Sequence, residues 1–239
     1  PTANVSFNLE SQNTSKGTAS PASLTFTSGN WNVEQVVTIT PVNNYVVDGD
    51  ATFAIATYSA TSGDSKYNGL NPPDVNVTCT DDDVAAINVS AISGNTREVG
   101  TTATFTIVLN SQPAADVTIG LSSSNTAEGT VSPASVTFTS STWNIAQTVT
   151  VTGVNDVVAD GNITYTVIIG AATSADPNYN GLNPDDIAVI NIDDDQAGVN
   201  VFPVSGLTTK EDGSTATFQI SLNTAPVSNV TISFASSDE

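Results

Sequence analysis

The feature that most constrains this sequence is an internal repeat at a fixed spacing of 112 residues. The spacing is the same at every matched position, so no insertion or deletion separates the two copies. The matching segments are Val5–Leu9 with Val117–Leu121, Ser20–Ser23 with Ser132–Ser135, Trp31 with Trp143, Tyr67–Pro72 with Tyr179–Pro184, and Asp81–Asp83 with Asp193–Asp195. A repeat of this length predicts tandem copies of one structural unit of about 112 residues.

A third copy begins after the second run of three aspartates. There Glu211–Phe218 matches Glu98–Phe105 at a spacing of 113 residues. The aspartate runs at 81–83 and 193–195 are natural boundaries, because like charges repel and favour solvated chain. We therefore predict three segments: residues 1–83 are a repeat without its first strands, residues 84–195 are a complete repeat, and residues 196–239 are the N-terminal part of a third.

Both ends of the chain fall within repeats, which leaves two interpretations. The chain is part of a longer parent protein, or its incomplete ends pair between molecules and complete sandwiches head to tail. Residues Pro226–Glu239 repeat the segment Pro1–Thr14, so simple exchange would duplicate a strand. We therefore expect a longer parent chain.

Hydrophobicity alternates with a period of two along the complete repeat, which predicts β-strands with one apolar face. Thr and Val favour such strands, and Asn, Gly and Pro mark the turns between them. The predicted strands are 86–91, 102–109, 115–122, 134–139, 146–154, 162–170 and 186–192. Short strands with turn signals between them predict an all-β chain of tandem, seven-stranded antiparallel β-sandwiches.

Several of these strands place their apolar residues on a single face. The expected core-facing sets are Phe105, Ile107 and Leu109; Val117, Ile119 and Leu121; Val149 and Val151; and Tyr165, Val167 and Ile169. We expect Phe138 and Trp143 to anchor the core between the two sheets.

The charge of the chain excludes some classes of partner. There are 24 acidic residues against 4 basic ones, a formal net charge of −20. Nucleic acid and anionic membrane surfaces both attract basic residues, so we expect neither nucleic acid binding nor direct membrane insertion. Two interpretations of the acid remain. It keeps a surface protein soluble and self-repelling, or it forms sites for hard cations, which prefer oxygen ligands.

The chain contains no His and one cysteine, Cys79. Without His no Ser-His-Asp triad can form, and we expect no catalytic residues and no enzymatic activity. The same composition disfavours zinc and iron sites. One cysteine cannot form a disulfide within the chain, and we expect Cys79 to be a small buried hydrophobic residue.

If the strands run alternately up and down, four segments of the complete repeat return to the same end. They carry seven of its eleven acids: Glu98, Glu128, Asp156, Asp160, Asp193, Asp194 and Asp195. Gathered charges of one sign repel strongly unless a cation neutralises them. Calcium, with about six to eight oxygen ligands, would do so, and Asn155 would add a neutral oxygen. A solvated acidic link between two domains is the alternative.

Three motifs of this repeat, taken in order, resemble the Calx-β family. They are Glu98-x-Gly-x-x-Ala-Thr-Phe105, Val149-Thr-Val-Thr-x-Val-Asn155-Asp156-x-x-x-Asp160-Gly161, and Asn191-Ile-Asp193-Asp-Asp195-Gln-Ala-Gly198. The family is known from the regulatory domains of sodium–calcium exchangers and from bacterial surface proteins. The resemblance spans the 112-residue unit. It implies an immunoglobulin-like sandwich that in some members binds calcium through acids at the end of the domain.

The resemblance also implies particular calcium ligands. They are Glu98, Asn155, Asp156, Asp160, Asp193, Asp194 and Asp195 in the complete repeat, Asp48, Asp81, Asp82 and Asp83 in the first copy, and Glu211 in the third. In the first copy Asn44 stands where the second has Asp156, and Lys16 stands where the second has Glu128. We therefore expect weaker calcium binding in the first copy, and we do not count Glu128 among the general ligands.

These features predict a structural segment of a long extracellular or cell-surface protein, such as a stalk, fibre or adhesin, rigidified by calcium between repeats. Its partners would be the neighbouring repeats of the same chain, with self-association into fibres as a further option. One alternative is a calcium-sensing regulatory domain pair. Another is a carbohydrate- or protein-binding module in which Tyr67 and Tyr179 contact sugars. Near-identical repeats favour the spacer over the sensor.

Overall fold

The structure is a computed structural model that describes residues 1–237. The regular secondary structure of these residues is β-strand throughout, and they include no helix long and apolar enough to cross a membrane. The fold is therefore all-β, as the sequence predicts. The chain divides into two compact units, Pro1–Ala85 and Ala86–Glu239.

The first unit contains seven strands. They are β1 (Val5–Ser11), β2 (Gly17–Ser20), β3 (Ser23–Phe26), β4 (Thr38–Pro41), β5 (Ala51–Thr57), β6 (Thr61–Ser62) and β7 (Val75–Cys79). One sheet has the order β3-β1-β5-β7, with β6 also paired to β1, and β2 pairs separately with β4. Val5, Phe53, Ile55 and Ala60 are the buried apolar residues of this unit.

The second unit contains the complete repeat and the start of the third copy. Its strands are β8 (Ile87–Val89), β9 (Thr96–Arg97), β10 (Thr102–Leu109), β11 (Val117–Ser123), β12 (Gly129–Ser132), β13 (Ser135–Phe138), β14 (Gln147–Gly153), β15 (Ile163–Ile169), β16 (Thr173–Ser174), β17 (Ile187–Ile192), β18 (Val199–Phe202) and β19 (Gln219–Leu222).

Two sheets form the complete repeat. One has the order β12-β14-β10-β8, and the other has the order β13-β11-β15-β17-β9, with β16 paired to β11. All of their strand pairs are antiparallel except β17 with β9. The seven predicted strands correspond to β8, β10, β11, β13, β14, β15 and β17. The repeat also has β12, which the sequence analysis left in a turn, and β9 and β16, whose two residues each are too few to show alternation, so a count of seven strands is too low.

The core lies between these two sheets, and every predicted core-facing set is buried. The buried residues of these sets are Phe105, Ile107, Leu109, Val117, Ile119, Leu121, Val149, Val151, Tyr165, Val167 and Ile169. Phe138 is fully buried, but Trp143 is only half-buried. The expectation that Trp143 anchors the core is wrong because this residue lies in the turn between β13 and β14, at the margin of the sheets.

Tyr179 is the large aromatic residue that the sequence did not place in the core. It is 1% exposed, its hydroxyl donates to the Ser111 carbonyl oxygen at 2.6 Å, and it accepts from the Ser111 backbone N–H at 3.0 Å. A ring buried in this way cannot stack on a sugar. Tyr67, at the matching position of the first repeat, is 38% exposed.

The third copy contributes the β-hairpin-like pair β18 and β19, which correspond in register to β8 and the end of β10. Its turn at Lys210 and Ser214 repeats the bridge between Arg97 and Thr101 in the complete repeat. Phe218 and Phe234 meet edge to face with their ring centroids 6.1 Å apart. The described part of this copy therefore begins the same fold.

Gly129 of β12, in one sheet, faces the ring of Tyr165 of β15, in the other, at very short range. A Cβ atom at position 129 would lie 2.2 Å from the Tyr165 hydroxyl oxygen. The first repeat has the same pairing, since a Cβ atom at Gly17 would lie 2.6 Å from the Phe53 ring. Glycine is required at this position because the aromatic ring packs directly on its backbone.

We predict that Gly129→Ala lowers the free energy of unfolding by about 1–3 kcal/mol, because the ring of Tyr165 must move to admit a methyl group. Gly120→Ala is the matched control, since a Cβ atom at position 120 would meet nothing within 4 Å. It should change the free energy of unfolding by less than about 1 kcal/mol. Chemical denaturation followed by circular dichroism measures both. Equal effects of the two variants would contradict this account of the sheet packing.

Candidate cation site at the acidic pole

Four segments of the complete repeat bring their acids to one end of the sandwich, as its up-and-down strand order predicts. Glu98 follows β9, Glu128 precedes β12, Asp156 and Asp160 lie between β14 and β15, and three aspartates follow β17. We call this end the acidic pole; it comprises Glu98, Glu128, Asp156, Asp160, Asp193, Asp194 and Asp195.

Two groups of three carboxylates form within the acidic pole. The Glu98 group consists of Glu98, Asp193 and Asp195, and the Glu128 group consists of Glu128, Asp156 and Asp160. In each group the three residues offer carboxylate oxygens that lie within 4.8 Å of one another. Oxygens gathered this closely can surround one cation, whose oxygen distances are about 2.3–2.6 Å for calcium.

Glu98 is the most unusual member of the pole. It is 2% exposed, and its Oε2 atom has no hydrogen-bond partner among the described residues. Burial, followed by the negative charges of Asp193 and Asp156, raises the pKa of Glu98 to about 7. A buried, unpaired carboxylate oxygen is costly, so this geometry favours either a bound proton or a bound cation.

Backbone pairing holds Glu98 beside the aspartate triplet. The short strand β9 runs parallel to the end of β17, and the Glu98 N–H donates to the Ile192 carbonyl oxygen at 3.1 Å. Asp193 in turn accepts from the Gly161 N–H at 2.6 Å and from the Asp195 N–H at 2.7 Å. The triplet is thereby fixed to the loop that carries Asp156 and Asp160.

Glu128 lies in one of the two carboxylate groups, although the comparison of the two copies argues against counting it as a ligand. It is 6% exposed, and its Oε2 accepts from Asn191 Nδ2 at 3.3 Å. Asp156, in the same group, accepts from the Val158 N–H at 2.7 Å. The sequence already places Glu128 in the turn before β12, at the predicted pole. It was not counted as an expected ligand because a lysine stands at the matching position of the first copy.

Seven of the twelve residues expected as ligands lie outside both groups: the four aspartates of the first repeat, and Asn155, Asp194 and Glu211. Asn155 is exposed, and its side-chain amide donates to the Asp156 carbonyl oxygen at 2.6 Å. Asp194 is exposed, although its backbone N–H donates to Glu98. Glu211 is exposed in the turn of the third copy.

The first repeat keeps the same backbone frame around its own triplet. Asp81 accepts from the N–H groups of Asp48 and Gly49 at 2.9 and 2.6 Å and from the Asp83 N–H at 3.0 Å. These hydrogen bonds lower the pKa of Asp81, whereas burial raises the pKa of Asp83. Asp82 is exposed. Within residues 1–237 the groups of three carboxylates that meet the 4.8 Å distance both lie in the complete repeat.

The sequence matches no family model and no curated protein. The resemblance to Calx-β domains, and the ligand set that it implies, therefore stay predictions.

Several solved structures have detectable similarity to parts of the chain. WR4, a C. elegans MSP family member, is 17% identical with a TM-score of 0.32, over 44% of this chain and 95% of that one. Domains 4 and 5 of the S-layer protein SbsC are 17% identical with a TM-score of 0.31, over 78% and 75% of the two chains. Domains 1–6 of SbsC are 16% identical with a TM-score of 0.30, over 91% of this chain and 29% of that one. Similarity at this level does not establish a shared function.

We predict that, in buffer free of divalent cations, the complete repeat loses stability as the pH rises towards neutrality. Glu98 binds its proton more tightly in the folded state, with a pKa of about 7 against 4.5 for an ordinary Glu. Its contribution is fully present below pH 4.5 and is lost as the pH rises through about 7. Thermal unfolding of the wild type at pH 5 and at pH 8, with chelator present, measures the change.

Glu98→Gln is the control for this titration, because Gln stays neutral across the range. The melting temperature of the variant should fall less than that of the wild type between the two pH values. Parallel pH profiles for the two proteins would show that Glu98 titrates normally.

Proposed function

We propose that this chain is a structural segment of a long extracellular or cell-surface protein, in which calcium bound at the acidic pole rigidifies the connection between successive repeats. A stalk, a fibre and an adhesin all fit this description. The proposal includes the absence of enzymatic activity, in line with a sequence that contains no His. The Calx-β relationship is part of the same proposal.

The observation that carries the proposal is the buried Oε2 atom of Glu98, which has no hydrogen-bond partner within residues 1–237 and belongs to a group with Asp193 and Asp195. A cation would supply the missing partner and offset the repulsion between the three carboxylates. All-oxygen ligands suit calcium, whereas magnesium demands a tighter octahedron and retains its waters. Zinc and iron favour His and Cys ligands, which the pole lacks.

The position of the pole supports a role in stiffening. The aspartate triplet directly follows β17, and residues 193–198 are the whole connection to β18 of the third copy. A cation held by the triplet would restrict the backbone of this connection. Binding to the ordered arrangement alone stabilises that arrangement by mass action.

A second contact joins the loop of the pole to the third copy. The Ala225 N–H donates to the Val157 carbonyl oxygen at 2.7 Å, and Val157 lies between the two acids Asp156 and Asp160. A groove of about 440 Å³ beside this contact is lined by Val158, Leu222 and Val227, among others. A cation bound by this loop would therefore also hold the surface on which the third copy rests.

The burial of Tyr179 weakens the carbohydrate-binding alternative, because a sugar cannot reach its ring. The net charge of −20 favours a soluble, self-repelling surface. Successive repeats of the same chain would be the partners of the pole, and self-association into fibres would need surfaces other than this one.

We predict that calcium raises the melting temperature of the full chain and lengthens the particle seen by small-angle scattering. At a calcium concentration 100 times the dissociation constant, the added stability is about 2.7 kcal/mol, or roughly 5–15 °C in melting temperature. Samples with calcium, with magnesium and with chelator are compared in the same buffer.

A variant pair makes this test specific to the acidic pole. Asp193→Asn with Asp195→Asn should abolish most of the calcium-dependent shift, because it removes two of the three carboxylates of the Glu98 group. Asp116→Asn with Asp185→Asn removes two acids outside the pole and should leave the shift intact. If calcium changes neither stability nor particle length, the acidic pole is a solvated link and the calcium proposal is wrong.

A further inference from the structure

We propose that Lys16 serves as a built-in cation in the first repeat, at the position where the Glu128 group of the complete repeat takes an ion from solution. The inference rests on the proposed function, since it assumes that the Glu128 group binds calcium. It goes further because it assigns an ion from solution to the complete repeat and none to the matching position of the first repeat, although the two have nearly the same fold.

The exact 112-residue spacing identifies the matching positions. Lys16 matches Glu128, Asn44 matches Asp156, and Asp48 matches Asp160. Three carboxylates in the complete repeat are thus represented in the first repeat by one ammonium group, one amide and one carboxylate. The formal charge of the group changes from −3 to zero.

In the first repeat the side chains at these three positions contact one another. Lys16 Nζ lies 2.5 Å from Asp48 Oδ2, and the Lys16 side chain is 17% exposed. Asn44 Nδ2 donates to the same Asp48 oxygen at 3.4 Å.

The residues that orient Glu128 differ in the first repeat as well. In the complete repeat Asn191 Nδ2 donates to Glu128, and Thr96 Oγ1 lies 3.1 Å from both Asn191 Oδ1 and the Tyr165 hydroxyl. The first repeat has Cys79 at the position of Asn191 and Phe53 at the position of Tyr165. The first repeat therefore lacks both the carboxylate that matches Glu128 and the polar side chains that hold that carboxylate in place.

The backbone frame is nevertheless the same in both repeats. Gly49 donates to Asp81 in the first repeat as Gly161 donates to Asp193 in the second, at 2.6 Å in each case. Because the loop geometry is shared, the difference between the repeats lies in the source of positive charge. The first repeat carries it on a side chain, and the second obtains it from solution.

Two reciprocal double variants of the full chain test the inference, with calcium as the probe. Glu128→Lys with Asp156→Asn should raise the calcium concentration for half-saturation of the complete repeat about 10-fold or more. It should also raise the melting temperature of that repeat in chelator, because the new ammonium group pairs with Asp160. Lys16→Glu with Asn44→Asp should lower the stability of the first repeat in chelator, and calcium should restore it.

The two tryptophans separate the repeats in these measurements. In a Trp31→Phe background Trp143 reports on the complete repeat, and in a Trp143→Phe background Trp31 reports on the first repeat. Calcium binding is measured directly by equilibrium dialysis of the same proteins. Lys66→Glu with Asn71→Asp makes the same change of charge in the exposed loop between β6 and β7 of the first repeat, away from the Lys16 contact, and it should give no calcium-dependent stability.

The outcomes distinguish this inference from the proposed function. A wild-type chain that binds no calcium contradicts the proposed function, and the inference falls with it. If the wild type binds calcium but the Glu128→Lys and Asp156→Asn variant binds it equally well, the inference alone is wrong. It is also wrong if the Lys16→Glu and Asn44→Asp variant behaves like the Lys66→Glu control.

Discussion

Apolar packing between the two sheets of the complete repeat holds seven mutually repelling carboxylates at one end of the molecule. The contact of Tyr165 with Gly129 and the buried faces of β10, β11 and β14 fix the strands, and the strands fix the turns. Each carboxylate alone would be solvated and harmless. The repulsion between the carboxylates of the acidic pole is unfavourable because the packed strands fix the turns that carry them, and the charges cannot move apart.

The core and the pole are also joined by a buried polar chain. The Tyr165 hydroxyl contacts Thr96, Thr96 contacts Asn191, and Asn191 contacts Glu128, at distances of 3.1 to 3.3 Å. A buried polar network stabilises the fold only when each of its polar groups has a hydrogen-bond partner. The network ends at the Glu128 carboxylate. The position of this acid therefore depends on residues in the core as well as on the surface loops.

The sequence alone predicted where seven strands lie along the chain and the end at which the acids gather, because both follow from alternation and from turn positions. It did not predict the order of the strands within the two sheets. It could not reveal β9, whose two residues set Glu98 beside β17, since two residues carry no period. It misplaced Trp143 and Tyr179 because aromatic content alone does not separate a turn from a buried position. It did not count Glu128 as a ligand because a lysine stands at the matching position of the first copy, whereas the structure places the Glu128 carboxylate within 4.8 Å of those of Asp156 and Asp160.

The connection between β17 and β18 has a mechanical consequence. The backbone of Asp193, Asp194 and Asp195 is the covalent path from the complete repeat to the third copy, so tension along the chain passes through the same residues that would hold an ion. Tensile load on this path pulls the triplet away from Glu98 and from the Gly161 N–H, so the hydrogen bonds of the triplet and the pairing of β9 with β17 resist it. Under the proposed function, an ion at the triplet would resist the same displacement, and its release at low calcium concentration would loosen the connection without unfolding the complete repeat.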